Sequence, residues 1–336
     1  MPGFIFIEPK APNLHIFSKF TLPRLGTIML GTLLKEWGWD VEIIFEEKKA
    51  IDFSRVKEAD LVGISTITST APRAYAIADK IRSQGKEVIM GGPHVTFLSK
   101  EALQHADFII RGEAENSFKE FIDAWTGKKD YSAVSGLGYR QEGEVVLNEK
   151  STTPVAVDEL PLPDLELLNS TVSRTAGKKV IPVQTSRGCP FDCTFCSVTG
   201  MFGKKFRYRS IPNILSELDR YNDRKNEIFF YDDNFTANKK RAKELLRAMI
   251  ERNYKFHWST QARVDIARDD ELVTLMKKAG CSTLYIGFES VNPESLLEMK
   301  KSQDLLEMKS SVSCLRKHRI HIHGMFVYGF DADTWE

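Results

Sequence analysis

The chain has no fourth cysteine beside the three it gathers. Cys189, Cys193 and Cys196 stand in C-x3-C-x2-C spacing, and the remaining two of its five cysteines, Cys281 and Cys314, lie far along the sequence. A closed structural zinc site wants four ligands, usually in two separated pairs. An electron-transfer 4Fe–4S cluster wants four thiolates. The local set meets neither requirement. An export signal is also lacking: Met1 to Pro9 holds a short apolar run with no basic lead and no small-residue cleavage site, and it reads as a first strand. No run reaches the length that crosses a bilayer. Neither sign of charge is in excess, with 47 Lys and Arg against 46 Asp and Glu. No long-range basic field therefore points to nucleic acid or an anionic membrane. Together these absences predict a soluble protein of the reducing cytoplasm, whose clustered thiols are metal ligands and not disulfide halves.

What is present is ordinary globular material, 42% hydrophobic and 28% charged over 336 residues, long enough for two domains. Over residues 1–126 short apolar runs alternate with helical patterns. Phe4–Ile7, Val41–Phe45, Asp60–Ser65, Glu87–Met90 and Phe108–Ile110 are expected strands. Helices are expected over Leu25–Trp37, over Pro72–Ser83 and from Glu115 through Trp125. Apolar strands alternating with helices predict a parallel sheet covered on both faces, a flavodoxin-like doubly wound fold. Such a sheet binds its ligand beyond the strand C-termini. The loops there are Ser65-Thr66-Ile67-Thr68 and Gly91-Gly92-Pro93-His94. A glycine pair lets backbone approach a large ligand closely, although by itself it also suits a tight strand-to-helix turn.

Residues 127–178 read as a connector. A hairpin is expected around Gln141-Glu142-Gly143, followed by Pro154, Pro161 and Pro163, whose density breaks regular structure. From 179 to 336 the strand–helix rhythm resumes. Strands are expected at Val180–Val183, Glu227–Tyr231, Phe256–Arg263, Thr283–Phe288 and His321–Tyr328, with polar residues gathered at their ends. Repeated βα units of this kind predict a barrel or partial barrel with its site at the C-terminal rim. The cysteines fall on the loop after the first of these strands. The basic interval Phe202–Arg209 reads as a solvated loop, and Cys281 and Cys314 as ordinary thiols. The last residues, Gly329 to Glu336, look like the opening turn of a helix with Asp333 as its N-cap, so the chain reads as either a fragment or one completed by another chain.

The cysteine spacing and its flanks, with Phe195 just before Cys196, resemble the radical S-adenosylmethionine (radical SAM) superfamily. That resemblance implies a partial (β/α)6 barrel in which three thiolates hold a 4Fe–4S cluster with one iron open to S-adenosylmethionine. It further implies that Asp232, Asp233 and Asn234, in the loop with Phe235, accept from the methionine ammonium. Gln261 and Arg263 would lie on one face of a strand with Arg263 pairing the carboxylate, Glu289 and Ser290 would accept from the ribose hydroxyls, and Phe195 would flank the adenine. The first domain, through Pro23-Arg24-Leu25-Gly26, Gly63-Ile64-Ser65, Gly91-Gly92-Pro93-His94 and Gly112-Glu113-Ala114-Glu115, resembles the cobalamin-binding domain that precedes many radical SAM domains. There Ser65, Thr66, Gly91, Gly92, Pro93 and His94 would surround the nucleotide tail. Corrinoid proteins that ligate cobalt through histidine use Asp-x-His-x-x-Gly. Asn13-Leu14-His15-Ile16-Phe17-Ser18 keeps only the histidine, so cobalamin without a histidine ligand is the expectation.

The resemblance thus implies a radical enzyme, supplied by an external flavodoxin- or ferredoxin-type electron donor, that methylates an unactivated carbon of a small molecule. Rearrangement and oxidative cyclisation are variants of the same chemistry. The other classes to weigh are a radical SAM enzyme with a vestigial corrinoid domain and a non-catalytic metal or corrinoid carrier.

Overall fold

Alternation of strands and helices builds two units, Met1–Ser173 and Arg174–Glu336, in a computed structural model that describes residues 1–12, 22–151, 153–168, 174–175 and 177–333. The degenerate histidine motif at 13–18 lies outside the described residues.

The first unit carries β1 (Gly3–Glu8), α1 (Leu25–Glu36), β2 (Asp40–Phe45), α2 (Phe53–Glu58), β3 (Leu61–Ser65), α3 (Ala71–Arg82), β4 (Val88–Gly91), α4 (Pro93–Phe97), α5 (Ser99–Ala102), β5 (Phe108–Ile110) and α6 (Glu115–Trp125). Its sheet runs β2-β1-β3-β4-β5, all parallel. This is the flavodoxin-like order, with the reversal of winding at β1/β3. The apolar strands bury both faces. Ile5, Ile7, Val62 and Ile64 pack toward α3 on one side, and Phe4, Phe6, Leu61 and Ile89 toward α1 and α6 on the other. Helix α6 shows why these segments are helical, since Phe118, Phe121, Ile122 and Trp125 recur at the spacing that makes one apolar face. The expected hairpin forms as β6 (Leu137–Gln141) and β7 (Glu144–Leu147), but it is no free connector. Strand β6 pairs antiparallel with β5 and extends the first sheet to seven strands. Gly138 makes this possible, because a Cβ there would press on Ile109 and Leu147 at 2.7 Å.

The second unit carries β8 (Arg174–Thr175), β9 (Lys178–Val183), β10 (Ser186–Arg187), α7 (Val198–Phe202), β11 (Arg207–Tyr208), α8 (Ile211–Asp219), β12 (Asn226–Phe230), α9 (Lys239–Arg252), β13 (His257–Ala262), α10 (Asp270–Lys278), β14 (Cys281–Glu289), α11 (Pro293–Glu298), α12 (Leu305–Lys317) and β15 (His321–Phe326). Five parallel strands stand in the order β9-β12-β13-β14-β15, and β8 adds an antiparallel edge to β9. Neighbouring strands are consecutive βα units, as a partial barrel requires. Helix starts are set by side-chain caps: Ser210 accepts from Asn213 N, Asn238 from Arg241 N, Asp269 from Leu272 N and Asp304 from Glu307 N. The helix expected after Asp333 falls on residues 334–336, outside the described residues. Asp333 itself closes the 329–333 turn, accepting from Gly329 N and Phe330 N and from Ser295 Oγ at 2.6 Å.

Candidate active site

The C-terminal end of β9 runs into Thr185, Ser186 and the cysteine loop. Cys189, Cys193 and Cys196 are half-buried, and none is in a disulfide. The loop is held at two points. Thr194 donates from its backbone N–H to Met299 O and from Oγ1 to Glu298 O, each at 3.1 Å, which fixes its far side to the end of α11. On its near side Gly188 takes φ +92 against Lys205 O, where a Cβ would sit at 2.9 Å. Burial pushes the Cys189 and Cys196 thiols up, and the charges of Asp233 and the neighbouring cysteines push the same way. The donor set is three soft ligands within each other's electrostatic reach, with no fourth cysteine beside them in the sequence, which fits a 4Fe–4S cluster with one iron left open.

Past the end of β12, the two carboxylates behave differently. Asp232 is fully buried and accepts from Thr185 N at 3.1 Å, from Thr185 Oγ1 at 2.9 Å and from Ser186 Oγ. Burial raises its pKa, and these donors oppose the rise. Its contacts pin the root of the cysteine loop. Arg241 of α9 braces the same segment, donating to Thr185 O at 2.9 Å and Arg209 O at 2.8 Å. Asp233 is half-buried, and its pKa is pushed up to about 7, first by burial and then by the Asp232 charge. Asn234 is buried and accepts from Thr236 Oγ1 at 3.2 Å.

A prediction follows from Asp233. Its folded pKa of about 7 stands above the ordinary aspartate value of 3.8. A raised carboxyl stabilises fully below the unfolded value and loses that contribution as pH rises through the folded one. The metal-free protein should therefore lose stability between about pH 4 and 7 through this group. Asp233→Asn should flatten that part of the profile, read as urea midpoints at successive pH values.

The remaining rim residues converge from three strand ends. Gln261 of β13 donates to Asp232 O at 3.4 Å. Arg263 is buried, lies over the Phe191 ring at 4.0 Å and donates to Ser302 O at 3.3 Å, with Asp265 at 3.9 Å. Glu289 ends β14 with φ +64, a left-handed conformation that few non-glycine residues adopt. Its carboxylate is paired at 2.7 Å to Lys301, both side chains nearly buried, and lies close over Gly287, which has no Cβ to obstruct it. Lys301 also stands 5.9 Å over the ring of Phe195. Ser290 Oγ accepts from Asn292 N at 3.1 Å and shapes the turn into α11. Phe195 is 40% exposed and meets Phe330 edge-on.

Sequence reasoning missed Lys301, Phe191, Arg241 and the Thr185–Ser186 pair. Thr185, Ser186 and Phe191 adjoin or lie within the cysteine loop but match no recognisable pattern, and only folding brings Arg241 and Lys301 to the rim. The basic interval is also not simply solvated. Lys204 is exposed, but Arg207 and Arg209 are buried, and Arg209 pairs with the buried Glu217 at 2.5 Å. Cys281 is buried, as an ordinary thiol would be.

In the first unit, the ends of β1, β3 and β4 form the other candidate site. Glu8 is buried, accepts from Arg24 N at 2.9 Å and has its pKa raised by burial. Arg24 donates to Ser65 O and to Thr70 Oγ1. Thr66 is fully buried, with its N–H on Gly91 O at 3.0 Å and its hydroxyl on Thr70 Oγ1 at 2.8 Å. Gly92 takes φ +102 directly against Thr66, where a Cβ would lie 2.5 Å from Thr66 O. Gly92→Ala should therefore cost roughly 2 kcal/mol or more, read by chemical denaturation. Pro93 opens α4. His94 is buried with both ring nitrogens in use, Nδ1 on Thr68 Oγ1 at 3.2 Å and Nε2 on Tyr75 OH at 2.9 Å. A Cβ built at Gly26 or Gly112 would meet nothing within 4 Å, and at Gly91 only Ile110 O at 3.8 Å. Side chains thus do not crowd these three glycines.

Two family descriptions match this chain: the radical SAM superfamily over residues 183–336 and the B12 binding domain over residues 16–122. The chain belongs to the radical SAM superfamily and is a radical SAM enzyme with a B12-binding domain ahead of its barrel; its cofactors are a 4Fe–4S cluster, S-adenosylmethionine and cobalamin. It is 33% identical to an uncharacterized methyltransferase of Pyrococcus horikoshii over 94% of this chain and 71% of that protein. It is 30% identical to the bacteriochlorophyllide d C-12(1)-methyltransferase of Chlorobaculum tepidum, over 98% and 70%. Among solved structures it resembles the radical S-adenosylmethionine methyltransferase TsrM of Kitasatospora setae, which has cobalamin and a [4Fe-4S] cluster bound. The TM-score is 0.77 at 17% identity, over 96% of this chain and 66% of that one. The doubly wound sheet and the partial barrel are both borne out. No described helix is long and apolar enough to cross a membrane.

Proposed function

We propose that this enzyme transfers a methyl group from cobalamin to an unactivated carbon of a small-molecule substrate. The observation that carries the reading is the trio of half-buried, unpaired thiols Cys189, Cys193 and Cys196 at a barrel rim, in a chain that also has a B12-binding domain. When bound, the cluster and S-adenosylmethionine supply a 5′-deoxyadenosyl radical and cobalamin supplies the methyl group; this chain contributes binding, orientation and exclusion of water.

In this reading the three cysteines hold the cluster, releasing thiol protons as they bind iron. Asp232 is committed to the root of the loop, so Asp233 and Asn234 receive the methionine ammonium. A cation there favours the ionised form of Asp233, against its burial and the Asp232 charge. Arg263, flattened on Phe191, offers its guanidinium edge to the carboxylate, assisted by Gln261. Glu289, paired with Lys301, and Ser290 accept from the ribose hydroxyls, while Phe195 flanks the adenine. Ser65, Thr66, Gly91 and Gly92 receive the nucleotide tail of cobalamin, and Pro93 and His94 brace that loop from behind. The electron comes from an external donor of flavodoxin or ferredoxin type, in the cytoplasm, and no nucleic acid takes part.

Anaerobic reconstitution with iron, sulfide and cobalamin, then reduction in the presence of S-adenosylmethionine, tests the reading by mass spectrometry. Both 5′-deoxyadenosine and S-adenosylhomocysteine are expected, together with corrinoid absorbance. S-adenosylhomocysteine alone would remove radical initiation, and 5′-deoxyadenosine without bound corrinoid would remove methyl transfer.

A further inference from the structure

Away from the cysteine loop, three side chains of different chemistry converge where α10 meets the end of α12. Asp270 is the first residue of α10. Cys314 and His318 lie four residues apart at the C-terminal end of α12, so they project from one face, one turn above the other. A carboxylate oxygen of Asp270, the sulfur of Cys314 and a ring nitrogen of His318 all lie within 4.8 Å of one another. Among the described residues no other three His, Cys, Asp or Glu side chains do so. His318 Nε2 and Asp270 Oδ1 already stand 2.9 Å apart. In a tetrahedral site with ordinary bond lengths, neighbouring donors sit about 3.3–3.6 Å apart. The adjustment needed is therefore of the size a side-chain rotation supplies.

The scaffold under these groups is fixed. The His318 N–H bonds Cys314 O at 3.1 Å and completes the helix. Lys277 Nζ, near the end of α10, donates to Arg319 O at 2.7 Å, and Arg268 just before α10 pairs with Glu307 of α12. Cys314 and His318 are half-buried while Asp270 is exposed, which leaves a coordination position facing solvent. Thiolate, imidazole and carboxylate together favour a borderline divalent transition ion. Calcium and magnesium want oxygen alone. Two anionic ligands neutralise a dication; burial and then the Asp270 charge push the Cys314 thiol up, with Lys317 opposing them, so the ion itself must displace the thiol proton.

We propose that Asp270, Cys314 and His318 form a second metal site, a three-ligand, solvent-open site for a zinc-class divalent ion that clamps α10 to α12. On binding, Cys314 gives its thiol proton to water and its sulfur takes the metal. The proton His318 Nε2 gives to the hydrogen bond with Asp270 moves to Nδ1 by tautomerisation of the neutral ring, which frees the Nε2 lone pair for the ion, and the Asp270 oxygen takes the ion in place of that proton. None of the three cluster cysteines takes part.

Cobalt(II) is the probe, titrated anaerobically into holoenzyme whose iron–sulfur cluster is already assembled. One equivalent should bind with a thiolate-to-cobalt charge-transfer band. The band should vanish in Cys314→Ser, and affinity should fall at least ~10-fold in Asp270→Asn and His318→Asn, each having lost one of three ligands. Cluster absorbance should be the same in all of these proteins. Zinc(II) should raise the melting temperature of the wild type and leave that of Cys314→Ser unmoved. Absence of the band in wild type, an equal band in Cys314→Ser, or unchanged affinity in Asp270→Asn, whose exposed position makes misfolding no explanation, would each overturn the assignment.

Discussion

Cys193→Ala is expected to abolish reductive cleavage of S-adenosylmethionine, a loss of at least about 10³-fold, because the three thiolates act as one unit and two cannot substitute for three. The protein itself should still fold. Cys193 is only half-buried, and the loop around it is held by Thr194 on α11 and by Asp232 on Thr185 and Ser186. The measurement is 5′-deoxyadenosine formed per enzyme under reductant, alongside iron content and far-ultraviolet circular dichroism. Full turnover by this variant would remove the cluster from the mechanism. Loss of turnover with unchanged iron content would place Cys193 in some role other than ligation.

Lys301→Met carries the largest expected effect on stability. Glu289 and Lys301 are 9% and 8% exposed and joined at 2.7 Å, so removing the cation strands a carboxylate with little water to solvate it. Breaking a buried pair from one side costs roughly 3–5 kcal/mol, whereas replacing both partners by neutral groups of similar shape is often near neutral. The double variant Glu289→Gln/Lys301→Met should therefore recover most of what Lys301→Met loses in chemical denaturation. A single-variant loss under about 1 kcal/mol would mean that water reaches the pair after all. The left-handed backbone at Glu289 makes the pairing more informative, since strain tolerated at a strand end is characteristic of a functional position.

The architecture of both units was legible in the chain because its signals are local and periodic. Each expected parallel strand forms within a few residues of its apolar run, and the strand order of the first sheet is the doubly wound one. Where reading by pattern fell short, a pairing at long range decided. The hairpin over β6 and β7 looked like a connector because its hydrogen-bonding partner, β5, lies about thirty residues earlier, and only Gly138 hints that another strand passes close. Asp232 and Asp233 look equivalent in sequence. The fold makes one a buried anchor with three protein donors and leaves the other half-buried and near pH 7 in its titration. Arg207 and Arg209 looked solvated by composition, and the buried Glu217 drew Arg209 inward.

By itself, the sequence determined the class of chemistry. Three thiols on one short loop are within reach of each other whatever the rest of the chain does, and their residue types select soft metals. It also determined the two sheets, since strand and helix periodicities are properties of neighbouring residues. Only the tertiary structure decided which carboxylate is committed, which lysine pairs with Glu289, and that Asp270 meets Cys314 and His318 from more than forty residues away. These depend on burial and on contacts between distant segments, and both arise when the chain closes on itself.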